Sequence, residues 1–265
     1  MTTPFQRAYA TAITLNNMGA NLLERRSFHE AAEVMNDAVT VMKEVSTSFQ
    51  NKTSQNHQQI LFPASVLQDL LKKANRFLSS ASKSLPRGPV NVMVLSEEES
   101  AELVSAALHG VQVLPADAVQ AIRLDLKGQS MLDCEMRDPA LESAVLLHNF
   151  GCAHTCLAIS TAAPLEAKRR MHASYMLYKL ASSLFQEHCD PVDFQGNEDV
   201  LIHYLPLSIL TFVSLHRLAS FLCLEDEAQS YLSHITEMQD IFLELEFLNG
   251  SPFYQSKKQE GAAAA

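Results

Sequence analysis

Three side chains of the kind that bind zinc or attack electrophiles, His148, Cys152 and Cys156, recur at four-residue intervals. That spacing stacks them along one side of an α-helix. Sulfur and imidazole donors are what a zinc site uses. At a rise of about 1.5 Å per residue, however, His148 and Cys156 stand roughly 12 Å apart, too far to share one ion through bonds of about 2 Å. A metal would need a pair from this helix and a further ligand such as His172 or His188 from the next. A free cysteine is otherwise a small buried hydrophobe, so no metal ligand and no cofactor is assigned. His188-Cys189-Asp190 collects residue types used in nucleophilic catalysis, but adjacent side chains on a helix point apart. His216 and His234 stand singly in helical stretches. The HExxH, GxSxG, P-loop, GxGxxG and paired CxxC patterns are absent. No catalytic residue is assigned, and a metal- or thiol-dependent enzyme on a helical scaffold is the alternative to a binding protein.

The elements that position these residues read as helices. Of 265 residues 47% are apolar, 19% are charged and only 8 are glycine, a composition that fills a core and disfavours turn-rich sandwiches. After a first helical stretch, Phe28, Ala31, Ala32, Met35, Ala38, Val39, Met42 and Val45 keep helical period over nearly five turns. Residues 46–59 are almost wholly polar and amide-rich with no periodic apolar face, and 46–62 read as a loop. Pro63 opens an amphipathic stretch to about Ser84, with Val66, Leu67, Leu70, Leu71, Ala74, Phe77 and Leu78 on one face and lysines on another. Pro86 and Pro89 end it. Residues 86–138 read as an irregular insert in which Val90–Leu95 could pair with Gly110–Leu114 as a small β element. Helices return near 140–161, 164–189, 199–222 and 225–247, lengths that suit antiparallel hairpins, and residues 250–265 read as a disordered tail.

Residues 12–45 carry Leu15, Asn17, Met18 and Gly19, then Phe28, Glu30, Ala31 and Ala38. Gly19 to Ala31 is 12 residues and Ala31 to Ala38 is 7, and small residues are needed where paired helices cross closely. The pattern resembles the tetratricopeptide repeat. From Ala144, the residues Leu147, Asn149, Phe150 and Gly151 repeat the arrangement of Leu15, Asn17, Met18 and Gly19. Their second helix reads as Ala173 to Phe185, and a third hairpin, Ile209 to Ile241, has Ala228 at the close-contact position. The spaced, eroded hairpins look like the uncharacterised tetratricopeptide-like proteins of diatoms. The resemblance implies an all-α, divergent tetratricopeptide-like solenoid over residues 1–249, with hairpins near 12–45, 140–189 and 199–247. It also implies a concave groove that binds a peptide or a partner helix. The positions it places in that groove are Ile13, Asn16, Ala20 and Leu23 in the first copy and Val145, His148, Cys152 and Thr155 in the second.

Charge narrows the partners. The chain carries net charge −10, with +4 in residues 1–96 and −14 in residues 97–265. An acidic body repels a phosphate backbone, and the basic residues between 46 and 87 are not alternated with aromatic residues as nucleic-acid platforms require, the aromatics there being the scattered Phe49, Phe62 and Phe77. The partner is therefore expected to be a protein or peptide and not a nucleic acid. A third reading uses residues 63–84 as a basic amphipathic helix on a membrane surface. Five cysteines in no paired framework point to a reducing compartment. The missing leader and the lack of an apolar span complete the expectation of a cytoplasmic protein without a transmembrane segment.

Overall fold

Helix formation in this chain starts from a cap. Thr3 accepts the Gln6 N–H on its hydroxyl while the Gln6 side chain accepts the Thr3 N–H, and Pro4 takes the first helical position. In the computed structural model, residues 2–53, 62–81, 90–95, 119–124, 139–188 and 198–248 are described. They form α1 (Pro4–Glu24), α2 (Phe28–Thr53), α3 (Ala64–Ser80), β1 (Val90–Leu95), β2 (Val119–Leu124), α4 (Ala140–Ser160), α5 (Pro164–His188), α6 (Glu198–Phe221) and α7 (Glu225–Leu248). The fold is predominantly helical with one small sheet. Each of α1, α2, α4, α5, α6 and α7 packs on the next in that order, and α3 lies on α1.

The hairpin turns follow a rule of their own. Arg26 sits in the left-handed region (φ 59°), and the Ser27 N–H reaches back to the Leu22 carbonyl at 3.0 Å. Cys223 does the same (φ 60°), with the Leu224 N–H on the Ala219 carbonyl at 2.9 Å. Both are Schellman-type stops that satisfy helix-terminal carbonyls without glycine. At one constant offset, Leu22, Arg26, Ser27 and Ala31 correspond to Ala219, Cys223, Leu224 and Ala228, so the α1–α2 and α6–α7 hairpins share their turn. At the position matching Gly19 stands His216, whose ring nitrogen Nδ1 lies 2.9 Å from the Ala228 carbonyl.

Small residues do mark the helix crossings. Ala31, Ala38 and Ala228 are buried. In the second hairpin α5 begins at Pro164, as the helical stretch near 164–189 leads one to expect, so the repeat's second helix is longer than Ala173 to Phe185; its close-contact residue is Ser174 rather than the half-buried Ala173. Ser174 is fully buried and donates to the Gly151 carbonyl at 2.8 Å, and the equally buried Ala181 follows seven residues later. A Cβ on Gly151 would lie 3.0 Å from the Tyr178 ring, and one on Gly19 would lie 2.7 Å from Met35 Cγ.

Two expectations are corrected. Residues 46–53 are not loop: α2 runs on to Thr53 because Ser48 is buried, Phe49 packs on the core and the Ser46 hydroxyl meets that of Ser143 on α4 at 3.3 Å. Tertiary packing overrides the polar composition there; residues 54–61 lie outside the described residues. The partner of β1 is β2, in parallel register from Val90↔Val119 to Leu95↔Leu124. Residues 110–114, the expected partner, lie outside the described residues, as does the tail from 249. The apolar stripe of α3 packs into the fold, with Leu67 and Ala74 buried. Its Lys73 pairs with Glu33 at 3.1 Å and with Asp37 on α2, and Arg25 caps its last turn by donating to the Leu78 carbonyl at 2.7 Å.

The Gly151 crossing makes a test. Ala gains about 1 kcal/mol over Gly in a helix interior, but here the added methyl meets a buried ring. Gly151→Ala is expected to destabilise the chain by about 1–3 kcal/mol in urea unfolding, and an unchanged or raised midpoint would contradict the crossing.

Candidate functional site

A strand buried among helices has backbone groups that neither water nor a ladder partner satisfies, and each must be paired. Strand β2 pairs with β1 along one edge. Successive residues of a strand turn their N–H and C=O groups to opposite edges, so the groups of Gln120, Ile122 and Leu124 share the other edge. That edge faces α1 and α4, and side chains of those helices take the place of a third strand.

Asn17 on α1 binds Leu124 in both directions: its Nδ2 donates to the carbonyl at 2.8 Å and its Oδ1 accepts the N–H at 2.9 Å. Asn149 on α4 does the same to Ile122, at 2.6 Å to the carbonyl and 2.8 Å from the N–H. Asn16 adds a donor to the Ile122 carbonyl at 3.2 Å and accepts from Asn149 at 2.8 Å. At Gln120 the carbonyl receives His148 Nε2 at 2.9 Å and the Cys152 thiol at 3.2 Å. Two residues of strand advance about 6.6 Å, so these contacts step from α4 across to α1 and read the main chain at every second residue. Beside them Arg123 pairs with Glu24 at the surface, at 2.8 Å.

The polar groups behind this ladder are themselves held. With Nε2–H committed to the Gln120 carbonyl, the unprotonated Nδ1 of the His148 ring faces the Thr211 hydroxyl of α6 at 2.9 Å, a hydroxyl it shares with the Leu207 carbonyl. Tyr178 of α5 donates to Cys152 Sγ at 3.3 Å and meets the His148 ring edge-on, with centroids 5.1 Å apart. Burial pushes the pKa of His148 down to about 4 and that of Cys152 up to about 12. Both groups are therefore neutral hydrogen-bond donors at pH 7. For Cys152 the shift is opposite to what a nucleophilic thiol needs, and burial raises the Cys156 thiol as well.

Of the eight residues assigned to a groove, Asn16, His148 and Cys152 contact β2 directly. Ile13, Ala20, Leu23 and Val145 are buried in the core, and Thr155 is half-buried with its hydroxyl 2.7 Å from that of Ser174. None of the eight is presented to solvent as open groove: β2 lies over Asn16, His148 and Cys152, four others are core residues, and Thr155 is turned to Ser174. Asn17 and Asn149 were visible as a signal, because each stands two residues before the repeated glycine. Their target was not, since Leu124 is 107 residues from Asn17 in sequence. As for the ligand alternatives, His172 is exposed and the His188 side chain lies outside the described residues. Among the described residues no group of three His, Cys, Asp or Glu is placed to hold a metal ion, and no helix is long and apolar enough to cross a membrane. His216 is bonded to Ala228, and His234 lies near Glu237 and the Phe212 ring. No family model matches the chain, nor does any curated protein or solved structure.

Two measurements follow. Removing the Asn149 amide leaves the Ile122 N–H without its partner in a buried setting, so Asn149→Ala is expected to cost about 1–3 kcal/mol. A loss under 0.5 kcal/mol, on the order of an ordinary surface substitution, would contradict the ladder. Acid provides the second. Below about pH 6.5 the unfolded chain takes up a proton that the buried His148 ring refuses until about pH 4. Stability is therefore complete above that window and falls through it as the pH drops. His154, lowered to about 4 by desolvation and Arg170, acts in the same window. His148→Gln keeps an N–H for the Gln120 carbonyl, and should reduce the acid loss between pH 7 and pH 4.5 by about 2–3 kcal/mol. An identical pH profile would show that the ring is not held neutral.

Proposed function

We propose that this chain is a non-catalytic interaction module, a divergent tetratricopeptide-like solenoid whose concave face grips an extended segment of polypeptide by its backbone. The observation that carries the reading is the amide ladder: Asn17 and Asn149 make the same two-bond contact to residues Leu124 and Ile122 of one strand. They occupy equivalent places in the two copies of the repeat motif. Recognition of this kind is β-augmentation by side chains. Main-chain hydrogen bonds supply affinity whatever the sequence, and the pockets for alternate side chains supply selection. The helix order, the shared turns of the first and third hairpins and the small residues at the crossings support the solenoid part of the proposal. The partner is a protein or peptide that presents an extended stretch.

The test vacates the ladder. Replacing residues 119–124 by alternating Gly and Ser should leave the helices in place, checked by circular dichroism. This variant should then bind a peptide spanning residues 117–126 one to one in calorimetry. Adding Asn149→Ala should weaken that binding at least about tenfold, the equivalent of about 1.4 kcal/mol. A folded variant that takes up no peptide, or that binds it equally well without Asn149, would remove the support for a peptide groove.

A further inference from the structure

Within β2 one residue is poorly suited to its place. Gln120 is 93% buried, with 7% of its surface exposed, and its side-chain Nε2 has no hydrogen-bond partner among the described residues. Its carbonyl is well supplied, with His148 and Cys152 both on it, so the mismatch belongs to the side chain. A buried amide donor left unpaired carries a desolvation cost that an apolar side chain of similar size does not. The helices read main chain at residues 120, 122 and 124, and any extended segment offers the same main chain. The rest of the strand defines what else fits. Val119, Ile122 and Leu124 fill apolar positions, Ala121 is completely buried, and Arg123 is matched by Glu24.

We propose, resting on the groove reading above, that β2 is a built-in and deliberately imperfect occupant of the groove. The partner is an extended peptide that displaces it, with an apolar residue where β2 has Gln120, a small residue next, an aliphatic one after that, a basic residue facing Glu24 and a final aliphatic residue. The occupant holds the apolar positions covered in the absence of the partner and sets a threshold that only a better-matched sequence passes. The incoming strand takes over the helix donors and acceptors on one edge and the pairing with β1 on the other, so the helices need not move.

The experiment uses the full chain and two fluorescent decapeptides, residues 117–126 as they stand and the same peptide with Gln120→Met, read by anisotropy. The Met peptide should bind the wild-type chain at least about tenfold more tightly than the native peptide, because it lacks the unpaired donor. In the chain itself Gln120→Met removes the mismatch from the occupant. Its thermal midpoint should rise, and its affinity for the Met peptide should fall at least about tenfold. Glu24→Lys should weaken the peptide further by opposing its arginine. Equal binding of the two peptides would overturn the proposal, as would a Gln120→Met chain that binds as the wild type does. If no peptide binds the wild type but the Gly/Ser-replaced chain takes it up, displacement is wrong and the groove reading stands. If neither chain binds, both fall. Self-association of the wild-type chain that the Met peptide reverses would assign the place to a second copy's strand and overturn the foreign partner.

Discussion

The structure depends on the pairing of one edge of one strand. Strand β2 lies between helices, where an unpaired N–H or C=O costs as much as a lost hydrogen bond, and the two-stranded sheet satisfies only the edge that faces β1. Asparagine is the side chain that best imitates a peptide group, since it carries a carbonyl and an N–H donor in one plane. Placed on α1 and α4, Asn17 and Asn149 complete the sheet from outside it. His148 and Cys152 finish the third position as neutral donors, which is a role their burial enforces. The chemistry suggested by the line of His148, Cys152 and Cys156 gives way to a structural use: two of the three point at the same backbone carbonyl.

The requirement propagates outward. For α1 and α4 to present amides to one strand they must lie side by side, and each must be backed by its own partner helix at close range. The crossing at Gly151 makes room for Tyr178, whose hydroxyl steadies Cys152. Thr211 brings α6 into the same network through His148. One polar path thus connects α4, α5, α6 and β2, and such networks specify a unique arrangement because a half-satisfied version is costly. On the outer side, Tyr175 and Tyr231 share Glu227 and tie α5 to α7 without entering this path.

Much of the helical frame was legible in the residues. Apolar periodicity located the start of α2 and α3, since a stripe at period 3.6 reports burial directly, and the helical stretches near 140–161, 164–189, 199–222 and 225–247 match α4 to α7. The end of α2 was not legible: Ser46, Thr47 and Ser48 read as loop, yet they lie on a helix whose burial is decided by α4. The pairing of β1 was missed for a different reason. A parallel partner lies a long crossover away, and Val-Gln-Ala-Ile-Arg-Leu has only a weak strand signature. For the site, the repeat exposed the two asparagines as equivalent residues while hiding their purpose, because a side chain that binds backbone leaves no complementary mark in the sequence it binds.

The most direct measurement is amide hydrogen exchange of the wild-type chain, resolved by residue along β2. Ala121 and Arg123 face β1, so their protection reports the sheet alone, whereas the N–H groups of Ile122 and Leu124 report the asparagines. The account predicts that Ile122 and Leu124 exchange as slowly as Ala121 and Arg123. Rates for Ile122 and Leu124 close to those of an unstructured peptide, beside protected Ala121 and Arg123, would show that the helices do not hold the strand and would contradict it.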